Sequence, residues 1–253
     1  MEYINDKFKN NFPEHFGEES PSIDGKILYQ YQKLDDEYIE TILKRSIYVS
    51  TPSKFNDPFD CWGLLKDDQN QISEQKLSLI ETAYQKGARS IGIACLTSSF
   101  DNQLMWAHYA SGHTGICIGF LFSDSDWKGG QEIMLRPVQY KDLKPIKIEN
   151  AFNQESDVLP SDEVSTRFLY SKNPDWHYEK EWRLMFKSKY MEKLVPLDEM
   201  GITMSDVIFG MNVPNWKIKG TTAAFNAAGI KPNYFIMKFN RETLRFERVA
   251  FNV

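Results

Sequence analysis

DNQLMWAHYASGHTGICIGF, residues 101–120, decides how the rest of the chain is read. Leu104, Met105, Trp106 and Tyr109 fall within six positions, too apolar for a solvated helix. Two histidines, a tryptophan and a tyrosine crowd more closely than a plain hydrophobic strand needs. The segment reads as a short helix over 103–110 that stops at Gly112 and turns directly into a strand over 114–121. Trp106, His108, Tyr109 and His113 are thereby gathered at one helix–turn–strand corner, a grouping suited to a small-molecule pocket.

Outward from this corner, strands and helices alternate without a strict βαβ rhythm. Ile27–Tyr31 and Ser46–Ser50 read as strands flanking a helix, with Asp35 and Asp36 supplying the N-cap and Tyr38, Ile39, Ile42 and Leu43 on one face. Leu77, Ile80 and Tyr84 keep helical spacing up to Gly87, which suits a C-terminal cap. Ser90–Leu96 is a buried strand by its continuous apolar run. Leu135–Tyr140 is another, 141–162 is loop-like, and Asp162–Ser171 is helical, with Val164, Phe168 and Leu169 inward. Glu179–Phe186 alternates as a strand, Asp206–Gly210 is a short buried strand and 214–228 a helix. Asn233–Phe239 and Thr243–Phe251 form a hairpin through Asn240–Glu242. The expected fold is α+β: a mixed, largely antiparallel sheet core with flanking helices. Residues 1–24 form an N-terminal extension and 25–253 a single domain.

Composition narrows the function. Hydrophobic residues make up 42% and aromatics 14%, enough for a sizeable core, which excludes a disordered chain. The net charge of −5 argues against strong nonspecific nucleic-acid binding, which needs a basic field to displace counterions. No membrane-length apolar run or signal pattern is present, so a cytoplasmic protein is expected. Cys61, Cys95 and Cys117 are odd in number and form no CxxC pair, which disfavours a disulfide framework or a zinc site. No GxGxxG or GxxxxGK[ST] loop occurs.

The candidate chemistry lies in Tyr-Glu-Lys-Glu-Trp-Arg, 178–183. Residues two apart in a strand share a face, so Glu179 and Glu181 project together beside Arg183. Two such carboxylates could hold a ribose hydroxyl or stabilise a cationic sugar-like transition state. The plain alternative is an amphipathic strand with these three as its polar face and Lys180, Trp182 and Leu184 buried. At the corner, His108 and His113 could handle protons or bind phosphate, or His108 could be a hydrogen-bonded core imidazole. Phe55–Asp60 (FNDPFD) offers Asp57 and Asp60 within an ordinary turn. The hydroxyls after strand 90–96, Ser98 among them, could meet a ligand or cap a strand. A metal-dependent hydrolase would draw on Asp57, His108 and His113.

Several of these segments resemble, in order, a bacterial family catalogued as domain of unknown function 2971. They are Leu28-Tyr-Gln-Tyr31, Phe55–Asp60, Cys95–Ser98, Met105–Tyr109 with His113-Thr-Gly, Trp176–Arg183 and Val207–Gly210. An early strand with LeuTyr, a strand ending in hydroxyl residues and a late strand with Glu-x-Glu also look like the three-part signature of ADP-ribosyltransferases. That resemblance implies NAD as substrate, with no tightly bound cofactor. It makes Glu181 the catalytic acid and has Glu179 orient the acceptor. Ser98 would support the pocket, and Tyr29 or Tyr31 would stack on nicotinamide. Asp57, Trp106, His108, Tyr109 and His113 join the substrate-binding set. Gln32 stands where the superfamily commonly has Arg, so a basic group such as His113 or Arg183 would replace it. The implied activity is ADP-ribosyl transfer to an unidentified macromolecular acceptor, or NAD glycohydrolysis, in a phage-defence or toxin setting. The rival is a non-catalytic module that binds a nucleotide or a protein, with Glu179 and Glu181 paired to Arg183 or Arg89.

Overall fold

Strand residues two apart face the same way, and here that alternation sorts one sheet into two chemically different faces. The computed structural model describes residues 22–61, 64–69, 72–129, 132–150, 152–153, 156–160 and 167–251. Its main sheet comprises β1 (Ile27–Gln32), β2 (Gly92–Thr97), β3 (Ile116–Leu121), β4 (Ile133–Pro137), β5 (Glu181–Phe186), β6 (Thr203–Phe209), β7 (Asn233–Asn240) and β8 (Arg245–Ala250). Their spatial order is β8-β7-β6-β3-β1-β2-β5-β4, and every neighbouring pair is antiparallel except β6 with β7. The α+β class and the mixed, largely antiparallel sheet are as the sequence led one to expect.

One face carries Leu28, Leu96, Ile118, Phe120, Leu184, Phe186, Val207 and Phe209, all buried in the largest hydrophobic cluster. Helices α1 (Asp36–Leu43) and α4 (Asn215–Ala227) cover it through Ile42, Ile218 and Phe225. The other face is divided. Ile93 and Met185 join one cluster with Tyr84 of α2 (Glu74–Ala88) and Phe168. Tyr29, Tyr31, Cys117, Ile208 and Met237 join another with Met105 and Trp106 of α3 (Gln103–Tyr109). Between the two clusters, β1 and β2 meet at a single residue pair, Tyr29 with Thr97, although β1 pairs with β3 along six positions. Away from that pair the strands part. Ser50, just beyond the strand Ser46–Val49, exchanges both backbone bonds with Ile93 at 2.9 and 2.8 Å.

The helix–turn–strand corner forms as expected, with Asn102 as N-cap accepting from the Leu104 and Met105 amides. Asp35 caps α1 through the Tyr38 amide, although Leu43 is exposed rather than part of its buried face. Other expectations are corrected. Gly87 lies inside α2, whose C-cap is Arg89. Pro137 ends β4 by its lack of an amide donor, and Gln139–Tyr140 pairs separately and in parallel with Ser171–Lys172. The stretch expected to be a loop, 141–162, contains short strands at Ile146–Lys147, Phe152–Asn153 and Ser156–Pro160. Of the helix expected over 162–171, residues 167–170 are helical, Ser171 is in a strand, and 162–166 lie outside the described residues, as does 1–21 of the expected extension. No helix among the described residues is long and apolar enough to cross a membrane.

The corner seats tightly against β1. A Cβ added at Gly115 would lie 2.3 Å from the Gln32 carbonyl oxygen and 2.8 Å from the Ala110 backbone. Backbone atoms cannot swing aside, so Gly115→Ala should lower stability by roughly 1–3 kcal/mol. The expected result is a lower urea midpoint at an unchanged slope; a midpoint equal to wild type would contradict this close seating.

Candidate functional site

Where β1 and β2 part, a cleft of about 390 Å³ opens. Its walls include Tyr29, Tyr31, Thr97, Tyr109, Lys172, Glu179 and Glu181, with Asn56 and Ser50 at other edges. The cleft thus combines aromatic walls with a few convergent polar groups, the usual make-up of a ligand site.

The two glutamates converge, but not by strand alternation. Glu179 ends a 3-10 helix, Pro174–Glu179, and Lys180 then takes a left-handed conformation at φ 44° before β5 begins at Glu181. This kink turns the exposed Lys180 outward and leaves both carboxylates on Lys172, whose Nζ is 2.6 Å from Glu179 Oε2 and 3.4 Å from Glu181 Oε2. Asp60 Oδ2 is also 3.4 Å from that ammonium. Arg183, wholly buried, donates from Nε to Glu181 at 2.8 Å and from Nη2 to both Asp60 oxygens at 2.7 and 2.8 Å. Its Nη1 donates to the Leu169 carbonyl at 2.7 Å. On the cleft side, Tyr109 donates its hydroxyl proton to Glu179 Oε1 at 2.5 Å and accepts from Asn56 Nδ2 at 2.9 Å.

These surroundings pull the two carboxyls in opposite directions. For Glu181, burial alone would raise the pKa, but the charges of Arg183 and Lys172 outweigh it and hold the group down to about 2. For Glu179, burial dominates and leaves the carboxyl above its ordinary range despite Lys172 and Tyr109. Burial in turn raises the Tyr109 hydroxyl, reinforced by its bond to Glu179, so that group stays a proton donor. Lys172 and Arg183 are kept charged because the carboxylates overcome the cost of burying them.

Of the eleven residues singled out from the sequence, Tyr29, Tyr31, Tyr109, Glu179 and Glu181 border the cleft. Arg183 sits behind it and braces Glu181. The polar face of Glu179, Glu181 and Arg183 is therefore a buried ion-pair network; Glu181 pairs with Arg183, and Arg89 does not enter the ion pairs found among the described residues. Ser98 is exposed and takes no part in lining the cleft, and Thr97 supplies the hydroxyl there. Trp106 is core, donating to the Phe100 carbonyl at 2.8 Å. His108 points to solvent and meets the Tyr178 hydroxyl at 3.3 Å. His113 is stacked against Trp106 and Phe246, its Nδ1 is buried with no hydrogen-bond partner among the described residues, and burial lowers its pKa. Asp57 borders a different cavity. No group of three or more His, Cys, Asp or Glu among the described residues is arranged to hold a metal ion. Lys172 and Asn56 border the cleft and were passed over by sequence reasoning. The clue available for Lys172 was its position two residues past the apolar run Phe168-Leu-Tyr170.

Residues 105–184, about a third of the chain, match a family model described as "Protein of unknown function (DUF2971)". The matched segment contains Tyr109, Lys172, Glu179, Glu181 and Arg183. Comparison with curated proteins and with solved structures found no match.

Two stability outcomes follow. Arg183→Met leaves Asp60 and Glu181 buried without their main cation, so chemical denaturation should show a loss of roughly 3–5 kcal/mol. Because the Glu181 carboxyl is depressed from 4.5 to about 2, its contribution is present above the unfolded value and lost as pH falls through that window. Glu181→Gln should therefore flatten the acid limb of a stability–pH curve between about 4.5 and 2; an unchanged limb would refute the assignment. Glu179 acts in the opposite sense, since its raised carboxyl adds stability at low pH that is lost as pH rises through its folded value.

Proposed function

We propose that the cleft is the active site of an enzyme that breaks a ribosyl–nitrogen bond of a nucleotide, with NAD as substrate. What carries this reading is the pair of neighbouring carboxylates held in opposite protonation preference at one wall of an aromatic cleft. Pairs of this kind divide acid–base and charge-stabilising work between them. Glu181, kept ionised by Arg183 and Lys172, supplies fixed negative charge for the oxocarbenium that forms as the nicotinamide–ribose bond breaks. The bonding electrons pass to the pyridinium nitrogen, and nicotinamide leaves neutral. Water or an acceptor hydroxyl then adds to the ribosyl carbon and loses its proton to Glu179, a carboxylate whose basicity its surroundings raise. Tyr109 and Asn56 hold Glu179 in place. Tyr29 and Tyr31 supply the aromatic wall. The resemblance to ADP-ribosyltransferases supports the same choice of substrate. A role in phage defence or a toxin system is consistent with such chemistry.

A second reading, a non-catalytic nucleotide- or protein-binding sensor, draws on the completeness of the ion-pair network. A fully satisfied network can serve to fix structure alone.

One comparison separates the two: nicotinamide release from NAD by wild type and by Glu179→Gln, with melting temperatures for both. The catalytic reading expects release by wild type, a loss of about 10²–10⁴-fold in the variant and little thermal change. Equal release by both proteins would refute the role of Glu179. No release by wild type, with a large drop in the variant's melting temperature, would favour the sensor.

A further inference from the structure

A second cavity, of about 430 Å³, lies on the far side of Lys172 and shares that residue alone with the cleft. One of its walls is Arg167, a residue only 8% exposed. Its Nε and Nη1 are buried and have no hydrogen-bond partner among the described residues. Nη2 makes one long bond, 3.4 Å, to the Lys144 carbonyl. An arginine cannot relieve this by losing its charge at ordinary pH, and buried donors without acceptors are costly. Arg183, by contrast, has acceptors for all three of its nitrogens.

The remaining walls define what could answer Arg167. Leu143, Pro145 and Trp176 form an apolar lining, and Phe59 and Leu64 stand at the border with 65% and 48% exposure. Lys172 brings no free charge, being held by Asp60, Glu179 and Glu181. The bordering acids are Asp57, whose Oδ1 accepts from the Phe59 amide, and the exposed Asp175. Both would repel an anion, which leaves Arg167 as the place for one to settle.

We propose that this cavity binds an oxyanion carried on an apolar or aromatic body, anchored by the Arg167 guanidinium. A carboxylate or phosphate matches the two-pronged donor geometry of arginine. On binding, a rotation of the guanidinium toward the cavity lets the oxyanion take Nη2 together with one of the two orphaned nitrogens, while Phe59, Leu64 and Trp176 enclose the body of the ligand.

The test is calorimetric titration of the full chain with inorganic phosphate, phenyl phosphate and benzoate at constant ionic strength. Phenyl phosphate should bind saturably, about tenfold more tightly than inorganic phosphate because its ring is buried. Benzoate tells a carboxylate head from a phosphate head, and saturable binding of either ligand that depends on Arg167 supports the site. Arg167→Met should weaken binding by about tenfold or more and leave the ligand-free melting temperature equal or higher, since an unpaired buried charge is removed. Phe59→Ala, at an exposed position, should remove the advantage of the ring while sparing inorganic phosphate. Wild-type affinity in Arg167→Met, an undiminished ring advantage in Phe59→Ala, or no saturable binding of phenyl phosphate and benzoate would each overturn the proposal.

Discussion

A guanidinium removed entirely from water has to find acceptors on every side, and Arg183 is placed so that the chain around it must supply them. Asp60 comes from the turn at 55–61, Glu181 from the same strand, and the Leu169 carbonyl from the short helix at 167–170. Lys172 extends the requirement to Glu179 and so to the 3-10 helix before β5. Segments far apart in sequence are thereby drawn to one end of β5. Removing the buried cation would cost much more than losing a surface pair, because its partners would remain charged in a low-dielectric setting.

The network also explains why two similar carboxylates behave differently. It holds three carboxylates, Asp60, Glu179 and Glu181, against two cations, Lys172 and Arg183. One negative charge is in excess. Asp60 and Glu181 are each touched by both cations, and for Glu181 their charges outweigh burial and hold it in its charged form. The excess falls on Glu179, which shares Lys172 and otherwise has a tyrosine hydroxyl. Its position at the cleft wall is where a proton acceptor is chemically useful.

Much of this was legible in the sequence, though partly for the wrong reason. The corner helix and strand were visible because apolar spacing changes period between Met105 and Ile118. Glu179 and Glu181 were visible as a pair, but the alternation that suggested it fails at Lys180, whose left-handed backbone has no strong sequence signature in a lysine. The aromatic and imidazole residues of the corner looked like one pocket. Helical geometry instead sends Trp106 inward, His108 outward and Tyr109 to the cleft, because successive residues are rotated by about 100°. The parting of β1 and β2 could not be read at all, since it depends on which strands become neighbours.

The span of the network bears on how the molecule assembles. The bond between Asp60 and Arg183 joins residues 123 apart in the chain. Until both segments arrive, each charged group is better off hydrated, so partial closure gains little and forfeits solvation. Docking of the 55–61 turn and the 167–172 segment onto β5 is therefore concerted, and it waits for the long loops to close. High sequence separation slows such a step. Closing this wall of the cleft is thus a long-range step, with a chain-entropy cost that the local hairpin contacts of the sheet do not carry.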